Sequence, residues 1–128
     1  MIIVLDSSAL LAALLGEPGA DRVDEVIDGA VMTTVNLAEV IGHFARAGAD
    51  RTRIASIVAG LPIKYVVTNR DLAMDIGLMR PRGEPFGLSL GDRICLAHAK
   101  QVGGVALTAD RTWAAAATAL GVEVELIR

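Results

Sequence analysis

Five short apolar runs, at residues 2–5, 30–34, 63–67, 105–108 and 122–127, alternate with segments of helical periodicity, and this alternation constrains the fold more than anything else. The first of them, Ile2 to Leu5, is continuous and rich in branched residues, as suits a strand covered on both faces. Helices between successive strands supply the crossovers that parallel strands require. The expected class is therefore α/β: a three-layer sandwich with a central, mostly parallel sheet of four to five strands covered by helices. With 128 residues, no repeats and no linker, the chain reads as one domain over residues 1–128. Helices are expected near 9–15, 20–27, 35–47, 69–79 and 111–120, with two more opened by Asp50 and Ser89 as N-caps. Residues 80–87, with Pro81, Gly83, Pro85 and Gly87, read as a surface loop beside a site.

Composition narrows the function. Although 53% of residues are hydrophobic, no apolar run reaches the roughly 18–20 residues that span a bilayer, so a soluble, cytoplasmic protein with no membrane role is expected. The lone Cys95 rules out an internal disulfide and reads as a small core residue. A net charge of −3 argues against a protein that coats nucleic acid, so any phosphate contact must be local. Abundant apolar surface with few aromatics favours an oligomer over a monomer.

In sheets of this kind, ligands bind beyond the carboxyl ends of the strands, where the chain order reverses. Asp6, Thr34 with Asn36, and Thr108 with Asp110 each fall at or just past such an end. Four acids stand out: Asp6, Glu39, Asp92 and Asp110. Each has an ordinary use. Asp6 and Asp110 can cap the helices that follow, Ser89-x-x-Asp92 fits a capping box, and Glu39 can be a solvated helix position. Their neighbours point elsewhere. Glu39 lies among Leu37, Ala38, Val40 and Ile41, which reads as a buried helix carrying a polar seam of Asn36, Glu39 and His43. Asp92 projects over Cys95, Leu96 and Ala99. Buried carboxylates need a partner, cations at matching positions are few, and a hard divalent ion such as Mg²⁺ or Mn²⁺ meets the need. Nothing resembles a zinc site, and His43 and His98 read as packing or supporting residues, His43 being the better supporting candidate.

Four motifs stand in order along nearly the whole chain: Val4-Leu5-Asp6-Ser7-Ser8-Ala9-Leu10, Asn36-Leu37-Ala38-Glu39-Val40, Leu88-Ser89-Leu90-Gly91-Asp92-Arg93, and Leu107-Thr108-Ala109-Asp110-Arg111-Thr112-Trp113. Together they resemble the PIN-domain family, above all the VapC-type toxins of bacterial and archaeal toxin–antitoxin pairs. The resemblance implies a metal-dependent endoribonuclease with Asp6, Glu39, Asp92 and Asp110 as catalytic and metal-binding acids. Ser7 or Ser8, and Thr108, match the family's hydroxyl positions near the metal. It further implies an RNA substrate, a homodimer and an antitoxin lying across the site. Asn36 is a supporting residue by its place on the polar seam, and Arg93 and Arg111, next to site acids, are candidate phosphate contacts. Two other readings compete: a catalytically silent PIN-like protein-binding module, and a receiver-type signalling domain. The second lacks the paired acids after the first strand and the late lysine that such domains carry.

Overall fold

In the computed structural model, which describes residues 1–128, every expected strand forms; β4 has the expected bounds and the other four are one or two residues shorter. The order along the chain is β1 (Ile3–Leu5), α1 (Ser7–Leu15), α2 (Ala20–Val26), β2 (Val31–Thr33), α3 (Thr34–Arg46), α4 (Arg51–Ala59) and β3 (Lys64–Val66). Then follow α5 (Arg70–Leu78), α6 (Arg80–Gly83), a 3₁₀ turn (Glu84–Phe86), α7 (Leu90–Val102), β4 (Val105–Thr108), α8 (Trp113–Leu120) and β5 (Glu123–Leu126). All five strands are parallel, in the order β3-β2-β1-β4-β5. The chain builds outwards from β1 on one side, then returns to build on the other. The reversal between β1 and β4 is where such sheets open a crevice. A receiver domain has the order 2-1-3-4-5, so the strand order excludes that reading.

The side-chain period of two sends alternate residues of β1 and β4 to opposite faces. Val4 and Ala106 join Leu72, Ile76, Leu96, Trp113 and Leu120 in one core. Leu5 and Leu107 join Leu10, Val23, Met32 and Val40 in the other. Two apolar layers against one sheet make the expected three-layer sandwich. Asp50, Asn69 and Ser89 each cap a helix, their side chains accepting from the Arg53, Leu72 and Asp92 amides at 2.9, 2.8 and 3.1 Å. These caps fix where α4, α5 and α7 begin.

Two expectations are corrected. Residues 80–87 are not an extended loop, because Arg80–Gly83 and Glu84–Phe86 are helical turns closed by Gly87 in the left-handed region at φ 68°. Both prolines sit in the first turn of their element, where the missing N–H has no helical partner to lose. Second, α3 is not buried all round. Asn36 and Val40 face the core, whereas Val35, Ala38, Glu39 and His43 are exposed, so its apolar residues form a stripe rather than a sleeve.

Candidate active site

The site is assembled where β1 and β4 end side by side. Leu5 pairs with Leu107, and the Asp6 amide donates to the Leu107 carbonyl at 3.0 Å, so the register survives one residue past β1. Asp6 occupies the N-cap position of α1, yet its carboxylate makes no cap bond. It turns to side chains instead. Ser8 Oγ donates to Asp6 Oδ2 at 2.6 Å and Thr108 Oγ1 donates to the same oxygen at 2.8 Å. Ser7 Oγ makes a long 3.4 Å contact with Oδ1. The Ala109 amide donates to Ser8 Oγ at 2.9 Å and the Asp110 amide to Thr108 Oγ1 at 3.0 Å. Two hydroxyls thus stitch the start of α1 to the end of β4 and hold one carboxylate between them. Asp6 is only 4% exposed, and Thr108 is fully buried.

The other three acids stand at the edges of this crevice, each held through one oxygen. Asn36 Nδ2 donates to Glu39 Oε1 at 2.8 Å. Asp92 Oδ2 accepts from the Ser89 amide at 2.9 Å, closing a reciprocal capping box at the start of α7. Asp110 Oδ1 accepts from the Thr112 amide and hydroxyl at 3.0 and 2.7 Å. In each case the second oxygen has no donor among these bonds. Charge couples the set: Glu39 acts on Asp6, and both Asp6 and Asp110 act on Asp92. Burial, foremost, and then the neighbouring Glu39 charge push the Asp6 carboxyl above its ordinary range, against the hydrogen bonds from Ser8 and Thr108. Asp92 is raised for the same first reason, with help from Asp6 and Asp110. The buried Cys95 thiol is pushed well up, by burial and then by the charges of Asp6, Asp92 and Glu39, which leaves it an inert core residue.

Several expectations about individual residues change. Of the four acids only Asp6 is buried; Glu39 is exposed, and Asp92 and Asp110 are half-buried. The burial argument for a cation therefore rests on Asp6 and on mutual repulsion among its neighbours, not on four sequestered charges. His43 is exposed and packs edge-on against Phe44, which takes it out of the polar seam, while Asn36 and Glu39 do bond. His98 is buried and its pKa is lowered by that burial, as befits a packing residue. Arg93 does not extend towards the acids' edge: its guanidinium donates to the Ile76 carbonyl at 2.9 Å, on the α5 side of α7. Arg111 is exposed and has no ion pair. Gly91 and Thr33 belong to the site although sequence reasoning passed over them. A glycine inside a helix start, next to a candidate acid, was the available signal, since glycine is disfavoured there unless something needs the space.

The donor set can be tested against a divalent ion. It offers only carboxylate, hydroxyl and carbonyl oxygen, which matches a hard cation and not zinc. No three His, Cys, Asp or Glu side chains lie close enough to grip an ion directly. A set this open fits Mg²⁺ or Mn²⁺, ions that keep several waters and take few protein ligands.

The model of the PIN domain family matches residues 3–119, and the chain belongs to that family. No functionally curated protein matches it in sequence. Among solved structures it is similar to the DNA-bound VapBC of Salmonella typhimurium, with a TM-score of 0.76 and 17% identity over 100% of this chain and 99% of that one. VapBC-1 of nontypeable Haemophilus influenzae gives a TM-score of 0.77 and 18% identity over 99% and 98%. VapC20 of Mycobacterium tuberculosis, a sarcin-ricin loop cleaving toxin, gives 0.70 and 21% over 89% and 94%. At these identities the likeness carries the fold. No helix is long and apolar enough to cross a membrane.

Proposed function

We propose that this PIN-domain protein is a Mg²⁺- or Mn²⁺-dependent endoribonuclease, the toxin of a toxin–antitoxin pair, acting in the cytoplasm. The observation that carries this reading is the buried Asp6, held by Ser8 and Thr108 at the reversal between β1 and β4, with Glu39, Asp92 and Asp110 around it. Its family and the toxins that share its fold support the choice of chemistry.

Asp6 is the fixed point. Two hydroxyls saturate Oδ2 and leave Oδ1 with only the long Ser7 contact, so one oxygen faces the crevice in a set direction. Asp92 and Asp110 each keep one oxygen without a donor, and these acids, with Glu39, would hold the ion largely through its waters rather than by three direct contacts at once. When bound, that ion supplies an acidified water and offsets charge on the attacked phosphate. Glu39 is exposed and keeps Oε2 without a donor, and we assign it the proton of the attacking water. Arg111, exposed next to Asp110, steadies the substrate phosphate. An open rim suits a polymer, and single-stranded or looped RNA is the form whose bases a protein reads in sequence.

A homodimer is supported by Met74 and Leu78, one turn apart on α5 and 64% and 68% exposed, with Val67 at 73% ahead of that helix. Leu90, 57% exposed beside Gly91, supplies an apolar foothold for an antitoxin segment over the site. The openness of the acids favours one other reading, a silent PIN-like binding module. Purified protein incubated with RNA and Mg²⁺ or Mn²⁺ decides between them. Cleavage is expected to vanish in EDTA and in Asp6→Asn; cleavage that survives both would overturn the metal-site reading. A small protein encoded beside this one should bind it and suppress its toxicity, and failure to do either would remove the toxin assignment.

A further inference from the structure

The contact between α3 and α7 depends on a residue that has no side chain. Glu39 rests its carboxylate on Gly91, and a Cβ built there would lie 2.8 and 2.9 Å from the two carboxylate oxygens and 3.0 Å from Cδ. Beneath it, the fully buried Asn36 makes a three-way clip. Its Oδ1 accepts from the Thr33 hydroxyl at 2.7 Å, while Nδ2 donates to Glu39 Oε1 at 2.8 Å and to the Gly91 carbonyl at 3.2 Å. The last two partners only accept, so the amide orientation is dictated. Gly91 immediately precedes Asp92, and one amide group therefore ties the Glu39 carboxylate on α3 to the turn that carries Asp92 on α7.

We propose that Gly91 and Asn36 are positioning residues that set the spacing between the Glu39 and Asp92 carboxylates for the cation. This role rests on the nuclease reading above. Gly91 supplies the space and Asn36 the direction: without the first, Glu39 has no seat on α7, and without the second its carboxylate is free to turn into solvent.

Gly91→Ala separates this role from a merely structural one. The atoms that the new methyl meets are the far end of a flexible, exposed side chain, so Glu39 swings outward and the backbone stays. Alanine is also the better helix former, so the melting temperature should hold or rise. The positioning role predicts the opposite direction for the site. Calorimetric titration with Mn²⁺ alone should show affinity weakened about tenfold or more, the scale of lost supporting contacts around a metal, with a matching rise in the Mn²⁺ needed for RNA cleavage. In a Glu39→Gln background the same change should cost no further affinity, because the charge it displaces is already gone. Equal Mn²⁺ affinity in Gly91→Ala and the unaltered chain, or an equal loss in both backgrounds, would overturn the proposal while leaving the nuclease reading intact. Failure of the unaltered chain to bind Mn²⁺ would overturn that reading itself and this role with it.

Discussion

Asp6 and Asp92 are both aspartates at or near the start of a helix, and the protein treats them in opposite ways. Asp92 satisfies its own helix through a capping box made with Ser89, three residues away. Asp6 ignores its helix and is held by Thr108, 102 residues along the chain. One carboxylate is fixed by local sequence and stays near water; the other is fixed by tertiary structure and loses water. A local capping acid contributes stability whether or not it has another task. Burial raises both carboxyls above their usual range and so works against the fold when they ionise. Asp92 offsets part of that cost with its capping box, whereas Asp6, the more deeply buried, gives its helix nothing in return, and such a cost is retained where chemistry needs it.

The largest effect that can break this contrast is at Asp6. Asp6→Asn should lower metal-dependent RNA cleavage by roughly a thousandfold, equivalent to losing about 4 kcal/mol of charge stabilisation. Stability should move the other way. The folded pKa of Asp6 lies above its unfolded value, so the folded chain holds this proton more tightly and gains stability from it at low pH. That gain is lost as pH rises through the raised folded pKa. Melting temperature followed from acid to neutral pH should therefore fall relative to Asp6→Asn, and Mn²⁺ should restore it at neutral pH only. Parallel curves for the two proteins would show that Asp6 ionises freely.

Next in size is Thr108→Val, which keeps the shape and removes the hydroxyl that bonds Asp6 and accepts from Asp110 N. A loss of about 1–3 kcal/mol in denaturant unfolding is expected, because buried groups are left unpaired. Cleavage should drop roughly 10- to 100-fold, as for other groups that orient a metal ligand. Ser89→Ala, at the matching position around Asp92, should cost about 1 kcal/mol as an ordinary lost N-cap. Its effect on cleavage should stay under about tenfold, since Asp92 keeps the Ser89 amide. If Ser89→Ala equals Thr108→Val in activity, the distinction between the two aspartates fails.

The same contrast explains what could be read in advance. The strands were legible as short runs rich in branched apolar residues, even where β3 and β5 carry Lys64, Glu123 and Glu125, and the caps at Asp50, Asn69 and Ser89 were legible because a cap reaches only three residues ahead. The four acids stood out as candidates from motif order. Their exposure was not: Ala38 and Val35 made α3 look apolar all round, yet both point to solvent, and alanine tolerates either side. The helical turns at residues 80–86 hid behind two prolines, whose helix-breaking signal reverses in a first turn. The Gly91 seat for Glu39 depends on two helices meeting, which no local pattern encodes.

The smallest expected effect separates the two arginines that follow site acids. Adjacent residues on a helix point about 100° apart, so Arg93 need not share the direction of Asp92, and its guanidinium is spent on the Ile76 carbonyl. Arg111 has no such partner. Arg111→Ala should raise KM for RNA a few-fold with kcat nearly unchanged, the mark of lost uniform binding, and should reduce the salt slope of binding by about 1. Arg93→Ala should leave both quantities alone and instead lower the melting temperature, because it strips a helix carbonyl of its donor. Swapped outcomes would mean that Arg93 leaves Ile76 when RNA binds, and that a bond made inside the free protein is a resting place for a substrate contact.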